Sequence, residues 1–450
     1  MLLVLVKKEI LNNLLSFRFA VTFLLLFLLL GGSVLMMALN YEKQVRDYTN
    51  AVTAYRERVE QMRDSEEFEI FGVTNRRKPN ALSIFAMGLE PDLSRAVTIS
   101  QWQGTEVGGN PYANPLFVLF SAPDVTHVLN IVVSLLAILF VFDAVSGEKE
   151  EETLKLMLSN PVPRDLILIS KCVGGFVCLS APFLISLGVG LLVAYTTTSI
   201  VFTPDEWLRI AVFTVVSLVY ISAFLMLGLF ISSCAQRSGT SLMMSLLAWV
   251  ILVLAIPNLV PVVVRQIVPL PSSAAIAGER MVMEGEEWRR AQQEMRRVST
   301  REERRKIYHE TIETVRKRWN TMREKYENRL VQQASLSMIA SRISPSACFT
   351  YAATALTQTG VDAYTKFVRY IYGDFQTQFE NSVPELRKPG QSQRVTGPGV
   401  DVEKLPQFSP MNETVERSLK RSLLDVGLLC GYTVLFFLGG FVRFLRYDVK

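Results

Sequence analysis

The sequence predicts a mainly α, polytopic protein. It should be a six-helix transmembrane domain carrying a large, mostly helical extracytoplasmic domain with a coiled-coil-like stalk. Three observations predict this. Half of the 450 residues are hydrophobic and collect in long uncharged runs, too apolar for an ordinary soluble chain. Six of the runs reach the roughly 20 residues that cross a hydrocarbon core of about 30 Å. Two long charged segments, 40–124 and 265–421, lie between runs, and parts of both repeat apolar residues at helical spacing.

Residues 1–18 read as a helix lying in the inner membrane interface. Leu3, Val6, Ile10, Leu14 and Phe17 recur near helical spacing, with Lys7, Lys8 and Glu9 on the other side. Nothing before Phe19 resembles a cleavable signal peptide, so the first span, 19–39, is expected to persist in the mature protein. In the segment 40–124, Val45, Val52 and Val59 alternate with Tyr48, Tyr55 and Met62 as a heptad seam. The first span should therefore continue outward as a stalk helix. The remainder of that segment is rich in Gly, Pro and Asn, with one alternating piece at Ala96–Ser100, and suggests a small α+β or irregular cap.

The second span occupies 125–145, a loop follows at 146–171, and spans three to five fill 172–264. Gly174, Gly175, Gly188 and Gly190 allow close packing of the third span, and Pro257 and Pro261 should bend or end the fifth. The segment 265–421 is intensely charged from Glu279 to Arg329, which reads as one or two long helices with a solvated face. Shorter helices are expected from Ser344-Pro345-Ser346 and over Val361–Phe379, followed by a Pro/Gly-rich loop at Glu385–Gln407. The sixth span and a tail close the chain at 422–450.

Orientation follows from the short connections. Lys7, Lys8 and Arg18 precede the first span, Lys149, Lys155, Arg164 and Lys171 flank or lie in the loop, and Arg237 lies between spans four and five. Arg443, Arg446 and Lys450 follow the sixth, whereas the loop 196–207 carries Asp205 and Glu206 but no Lys or Arg. The positive-inside rule then puts both termini and the loop 146–171 in the cytoplasm.

That loop has the most informative pattern. Ser146-Gly147 should break the second span, after which Glu148, Glu150, Glu151 and Glu152 crowd the first turn of a new helix, where its dipole favours anions. Leu154, Met157 and Leu158 share one face, Glu151 stands four before Lys155, and Asn160-Pro161 and Pro163 stop the helix. A short helix with an acidic tip and an apolar side suits docking into a partner protein.

The same stretch carries a resemblance. Ser146-Gly147-Glu148, Thr153-Leu154, Leu158-Ser159-Asn160-Pro161-Val162-Pro163-Arg164 and Lys171 resemble the cytoplasmic loop of type-2 ATP-binding-cassette permeases. The likeness extends to the branch with large extracytoplasmic domains, as in gliding-motility and nitrous-oxide-reductase maturation systems, through the stretch Arg77–Glu90 and the C-terminal Arg446-Tyr447-Asp448-Val449. That family usually has Gly where Glu152 stands. The resemblance implies a coupling helix that inserts into an ATPase subunit through Glu148, Glu150, Glu151, Glu152, Thr153, Leu154, Met157, Leu158, Asn160, Pro161 and Arg164. It also implies a second permease subunit, identical or closely homologous, and a bacterial inner-membrane location. ATP and Mg would be bound by the partner ATPase and no cofactor by this chain.

The remaining chemistry points the same way. His127, near the outer end of the second run, reads as the one ionisable group well within a span, so residues for proton or sodium coupling are not evident. No GxxxxGK[ST] loop is present, so energy must come from another subunit. The five cysteines show no metal spacing, His309-Glu310 lacks the second histidine of HExxH, and no catalytic residue stands out. A net charge of +5, spread over segments, does not indicate nucleic-acid binding. The expected function is a permease subunit coupling ATP hydrolysis by partner subunits to export, or to mechanical work on an envelope partner beyond the bilayer. The alternative is a membrane-anchored coiled-coil scaffold or sensor with no ATPase.

Overall fold

The computed structural model describes residues 2–61, 73–93, 96–100, 104–107, 123–154, 163–378 and 413–446. The chain divides into two compact units, Met1–Pro257 with Arg342–Lys450, and Asn258–Ser341.

In the first unit, a helix over Leu2–Leu14 precedes the 45-residue helix Phe17–Gln61, so the first span does run without a break into the stalk. The second span covers Val125–Glu150, the third Arg164–Thr197, the fourth Pro204–Cys234, the fifth Ser238–Ile267 and the sixth Val415–Leu445. Each is long and apolar enough to cross a bilayer. The protein is thus mainly α and polytopic. Thr203 and Glu206 close a capping box at the start of the fourth span, which satisfies amides that the helix cannot. The fifth span crosses the boundary between the units. Its helix is not ended by Pro257 or Pro261; a π-helical turn over Val250–Ala255 comes immediately before the prolines, and the helix resumes at Ile256–Ile267.

Glycines set the closest approaches. A Cβ on Gly190 would stand 3.3 Å from Gly31 Cα, where the first and third spans touch. One on Gly228 would stand 2.8 Å from Val141, between the fourth span and the second. Gly174 admits the N-terminal helix, since a Cβ there would meet Glu9 at 2.8 Å, whereas Gly188 faces open space. Small residues let helices gain van der Waals contact where lipid offers no hydrophobic gain.

A helix over Pro345–Thr357, inside the charged segment 265–421, is buried among the spans. It carries no charged residue. Phe349 stacks on Tyr220, halfway along the fourth span, at 4.4 Å between centroids. Ser344 caps its first turn, accepting from the amides of Ser346 and Ala347 at 3.1 and 3.4 Å, and donates to Leu252 O in the π turn of the fifth span. Asn130, in the π turn Leu129–Val133 of the second span, donates to Thr350 Oγ1 at 2.9 Å and accepts from Ser346 Oγ at 3.0 Å. Its first-turn amides thus have partners, so backbone can turn at this depth without an unsatisfied group.

Beyond the spans lies a three-stranded antiparallel sheet: β1 Val73–Arg76, β2 Ala96–Ser100 and β3 Gly104–Val107, ordered β1-β2-β3. Val73 pairs with Ile99 and Val97 with Val107, so alternate residues face one side. That side is closed by Phe367, Tyr370, Ile371 and Phe375, from the helix Val361–Tyr370 and the π turn after it. Tyr55 of the stalk packs here too. The heptad residue therefore meets the sheet cluster. The Arg77–Glu90 stretch ties this cap to the buried helix: Asn80 Nδ2 donates to Thr357 O at 2.6 Å, and Leu89 N to Thr359 O at 2.7 Å. Gly88, at φ +47°, permits that contact, since a Cβ would fall 2.5 Å from Thr359 O.

The second unit is a helical hairpin. Ser273–Arg297 and Arg301–Ser341 are its two long helices. Trp288 meets Tyr308 at 5.3 Å, Arg280 lies over the Trp319 ring at 4.7 Å, and Gln333 Nε2 donates to Val268 O at 2.7 Å. The Glu385–Gln407 loop and the Tyr447-Asp448-Val449 motif lie outside the described residues.

Candidate functional site

The loop after the second span is the candidate site. Its helix does not break at Ser146-Gly147. It pauses earlier, in a turn over 142–145, and Ser146–Glu150 is helical again. The cause is Ser232 of the fourth span, whose hydroxyl accepts from both Val145 N and Ser146 N at 3.1 Å. Ser241 of the fifth span donates to Phe142 O at 2.5 Å, so the pause is held from two sides.

The next three charged residues are each tied to a different element. Glu148 Oε1 accepts from Lys171 Nζ at 2.6 Å, and Lys171 also reaches Glu9 Oε1 at 3.3 Å. Lys171 is 6 % exposed and Glu9 and Glu148 are half-buried, so the triad lies largely inside the protein. Glu9 faces the protein because the N-terminal helix turns Val6, Glu9, Ile10 and Asn13 inward, while Leu3, Leu14 and Phe17 are exposed. Lys149 Nζ donates to Ser233 O at 2.6 Å and Ala235 O at 3.0 Å, capping the carboxyl end of the fourth span. Glu150 Oε2 accepts from Ser238 N at 2.9 Å and Ser238 Oγ at 2.8 Å, capping the amino end of the fifth. Both charges have the sign that the adjoining helix dipole favours. Arg18 bridges Asp143 at 2.7 Å and stacks on Phe142 at 5.2 Å, and Arg164 donates to Leu445 O at 3.0 Å.

Glu151 and Glu152 are exposed, Thr153 is half-buried and donates to Glu148 O at 3.3 Å, and Leu154 is buried at 1 % exposure. Glu152 has φ +58°, the left-handed region that glycine enters without a steric penalty. Residues 155–162, and with them Lys155, Met157, Leu158, Asn160 and Pro161, lie outside the described residues. Of the predicted acids, Glu148 is half-buried against Lys171, Glu150 is exposed but bonded to Ser238 of the fifth span, and Glu151 and Glu152 are exposed.

Sequence reasoning missed three groups. Glu9 and Lys171 complete the triad, and only their opposite signs at the same predicted depth signalled it. Asp425 lies two residues inside the edge of the last apolar run, and it holds Arg342 through two bonds, Nε–Oδ1 at 2.6 Å and Nη2–Oδ2 at 3.1 Å. His127, by contrast, is exposed. Among the described residues no three His, Cys, Asp or Glu side chains converge on a metal position. The arrangement is a charge-tied block bonded to the spans or the helices leading into them, with the exposed acids Glu151 and Glu152 beside it.

The chain matches the family described as ABC-2 family transporter protein over residues 3–449. No curated protein matches it.

Proposed function

The chain belongs to the ABC-2 family of transporter proteins, and on that premise we propose that it is a permease subunit driven from its cytoplasmic side through the loop at 146–171. Membership makes it a membrane component of an ABC transporter and implies an ABC ATPase partner. In this reading two ATPase subunits bind ATP and Mg, a second permease copy or close homologue pairs with this one, and both termini are cytoplasmic.

One observation carries the mechanism: the segment Ser146–Glu150 is tied to the third, fourth and fifth spans and to the N-terminal helix. Closure of the ATPases against Glu151 and Glu152 displaces the block Ser146–Glu150. Glu148 passes the movement through Lys171 to the third span and the N-terminal helix, and Lys149 and Glu150 pass it to the fourth and fifth. The two π turns, linked through Ser344 and Asn130, offer places where the second and fifth spans can yield. Export between two permease copies and mechanical work on an envelope partner both use this motion.

The test is Glu151→Lys with Glu152→Lys, which reverses the exposed corner and spares the buried ties. The ATPase should still be expressed, yet co-purification with this subunit and stimulation of ATP hydrolysis should be lost. Wild-type coupling in that variant would refute docking at this corner. If no ATPase follows the tagged wild-type protein from native membranes, the scaffold alternative gains.

A further inference from the structure

The hairpin distributes its charge unevenly. Along the shaft several cations have acidic partners: Arg280 with Glu284 at 2.6 Å, Arg290 and Arg318 both with Glu287, Arg323 with Glu327 at 3.1 Å, and Lys317 with Glu313 at 3.9 Å. Arg289 donates to Gly285 O, and Lys325 and Arg329 have no acidic partner among the described residues. The turn at Val298-Ser299-Thr300 is different. Between Glu294 and Lys306 stand six basic and three acidic residues, all exposed. Arg296, Arg297, Arg301 and Arg305 have no acidic partner among the described residues, and Arg304 donates to a carbonyl, Val298 O, at 3.2 Å.

Stability of the hairpin does not explain these positions. Arg296 and Arg297 end a helix, where cations suit the dipole, but Arg301, Arg304 and Arg305 begin one, where the dipole opposes them. Arg301 and Arg305 are also like charges at i, i+4, a destabilising spacing. The tip thus keeps cations that its own fold disfavours. All but Lys306 are arginine, whose fork binds carboxylates in bidentate fashion. No large apolar side chain is exposed between Val282 and Val331, so nothing at the tip would enter a bilayer. Glu294, Glu302 and Glu303 interrupt the basic surface, which would repel a dense phosphate polymer but suits a partner of patterned charge.

We propose that the hairpin tip around Arg296, Arg297, Arg301 and Arg305 is a docking site for an acidic segment of a partner protein. This gives the envelope partner considered above a chemistry, and it rests on that reading only for the side of the membrane. The helix from Arg301 to Ser341 has 41 residues, a reach of about 60 Å. The tip can therefore meet its partner well away from the end where the hairpin joins the rest of the chain.

The test uses the full-length protein in detergent and a synthetic glutamate-rich helical peptide as probe. Arg301→Glu with Arg305→Glu is compared with Lys325→Glu plus Arg329→Glu, an exposed shaft pair of the same spacing. The peptide should bind wild type with an affinity that falls as salt rises, drop about tenfold or more in the tip variant and change less than about twofold in the shaft variant. Unchanged circular dichroism verifies that both variants remain folded. Absence of binding, or equal loss in both variants, would overturn the proposal. So would tighter, tip-dependent binding of inorganic polyphosphate or of phosphatidylglycerol vesicles, which assigns the tip to phosphate. Docking of the ATPase is untouched by these variants, so failure here is separable from failure at Glu151 and Glu152.

Discussion

The bundle and the hairpin treat charge in opposite ways. In the bundle few charged groups are kept, and the internal ones are closely held: Lys171 between Glu9 and Glu148, Arg342 on Asp425, and Arg209 on Leu356 O and Ser418 Oγ at 2.8 Å each. In the hairpin charge is abundant and most of it is exposed; pairs such as Arg323–Glu327 span one helical turn, and Arg318–Glu287 joins the two helices. The difference follows from solvent. A buried ion loses hydration that only a near-ideal partner offsets, whereas a wet pair gains little because water already serves both partners. Charge in the bundle therefore fixes geometry, and charge in the hairpin fixes what approaches it.

The sharpest way to break that contrast is at Asp425. Asp425→Ala leaves the half-buried Arg342 guanidinium beside Tyr351 without its carboxylate, a loss of up to about 3–5 kcal/mol, the cost of breaking a fully buried pair. Thermal inactivation of the purified protein should show a large drop. Asp425→Leu combined with Arg342→Met should recover most of it, since removing both ions removes the orphaned charge. A single variant as stable as wild type would mean that the pair is solvated and the contrast false.

Outside the spans the same rule makes a pH prediction. Glu90 is 2 % exposed, and burial raises its carboxyl from 4.5 to about 7 despite Arg77 at 3.3 Å and the amide of Asn80 at 3.0 Å. The native carboxyl thus keeps its proton in a range where the unfolded one has lost it. Stability of the cap is full below about pH 4.5 and falls by about 3 kcal/mol as pH rises to 7, then levels. Hydrogen exchange over 80–93, corrected for intrinsic rates, should quicken across that window. Glu90→Gln should flatten the profile. A flat wild-type profile would put the carboxylate in contact with water.

Much of this was legible in the sequence, and the residues show why. Six spans and the continuous stalk were readable because length and apolarity report them directly. The helix at Pro345–Thr357 was expected, but its burial was not. At 13 residues it is too short for a spanning signal, and its depth is set by Tyr220, Asn130 and Leu252, each more than 90 positions away. The loop acids read alike in sequence. Only the fold separates Glu148, which meets Lys171, from Glu151, which faces outward. Tyr55 kept the heptad spacing of a coiled coil and packed on a sheet instead, because spacing names a face and not its partner.

Glu152 offers a smaller effect with the opposite sign. A non-glycine residue in the left-handed region costs about 1 kcal/mol, so Glu152→Gly should raise the stability of the loop by about that much. The gain should appear as slower proteolysis at the loop. Unchanged or faster cleavage would imply that the Glu152 side chain stabilises the turn by more than the backbone strain.

The smallest expected effect lies on the hairpin shaft. Glu313 and Lys317 stand 3.9 Å apart, with side chains 69 % and 81 % exposed. At i, i+4 on a wet helix such a pair contributes about 0.3–0.5 kcal/mol and is screened by salt. Glu313→Ala should therefore shift the thermal midpoint by too little to separate from wild type, and any shift should vanish in high salt. Lys317→Ala should behave alike, and the double variant should match either single one. A loss of 2 kcal/mol or more that persists in salt would mean that the shaft is not wet at this turn. Charge on the hairpin would then be doing what it does in the bundle, and the unpaired arginines of its tip would lose their claim to be exceptional.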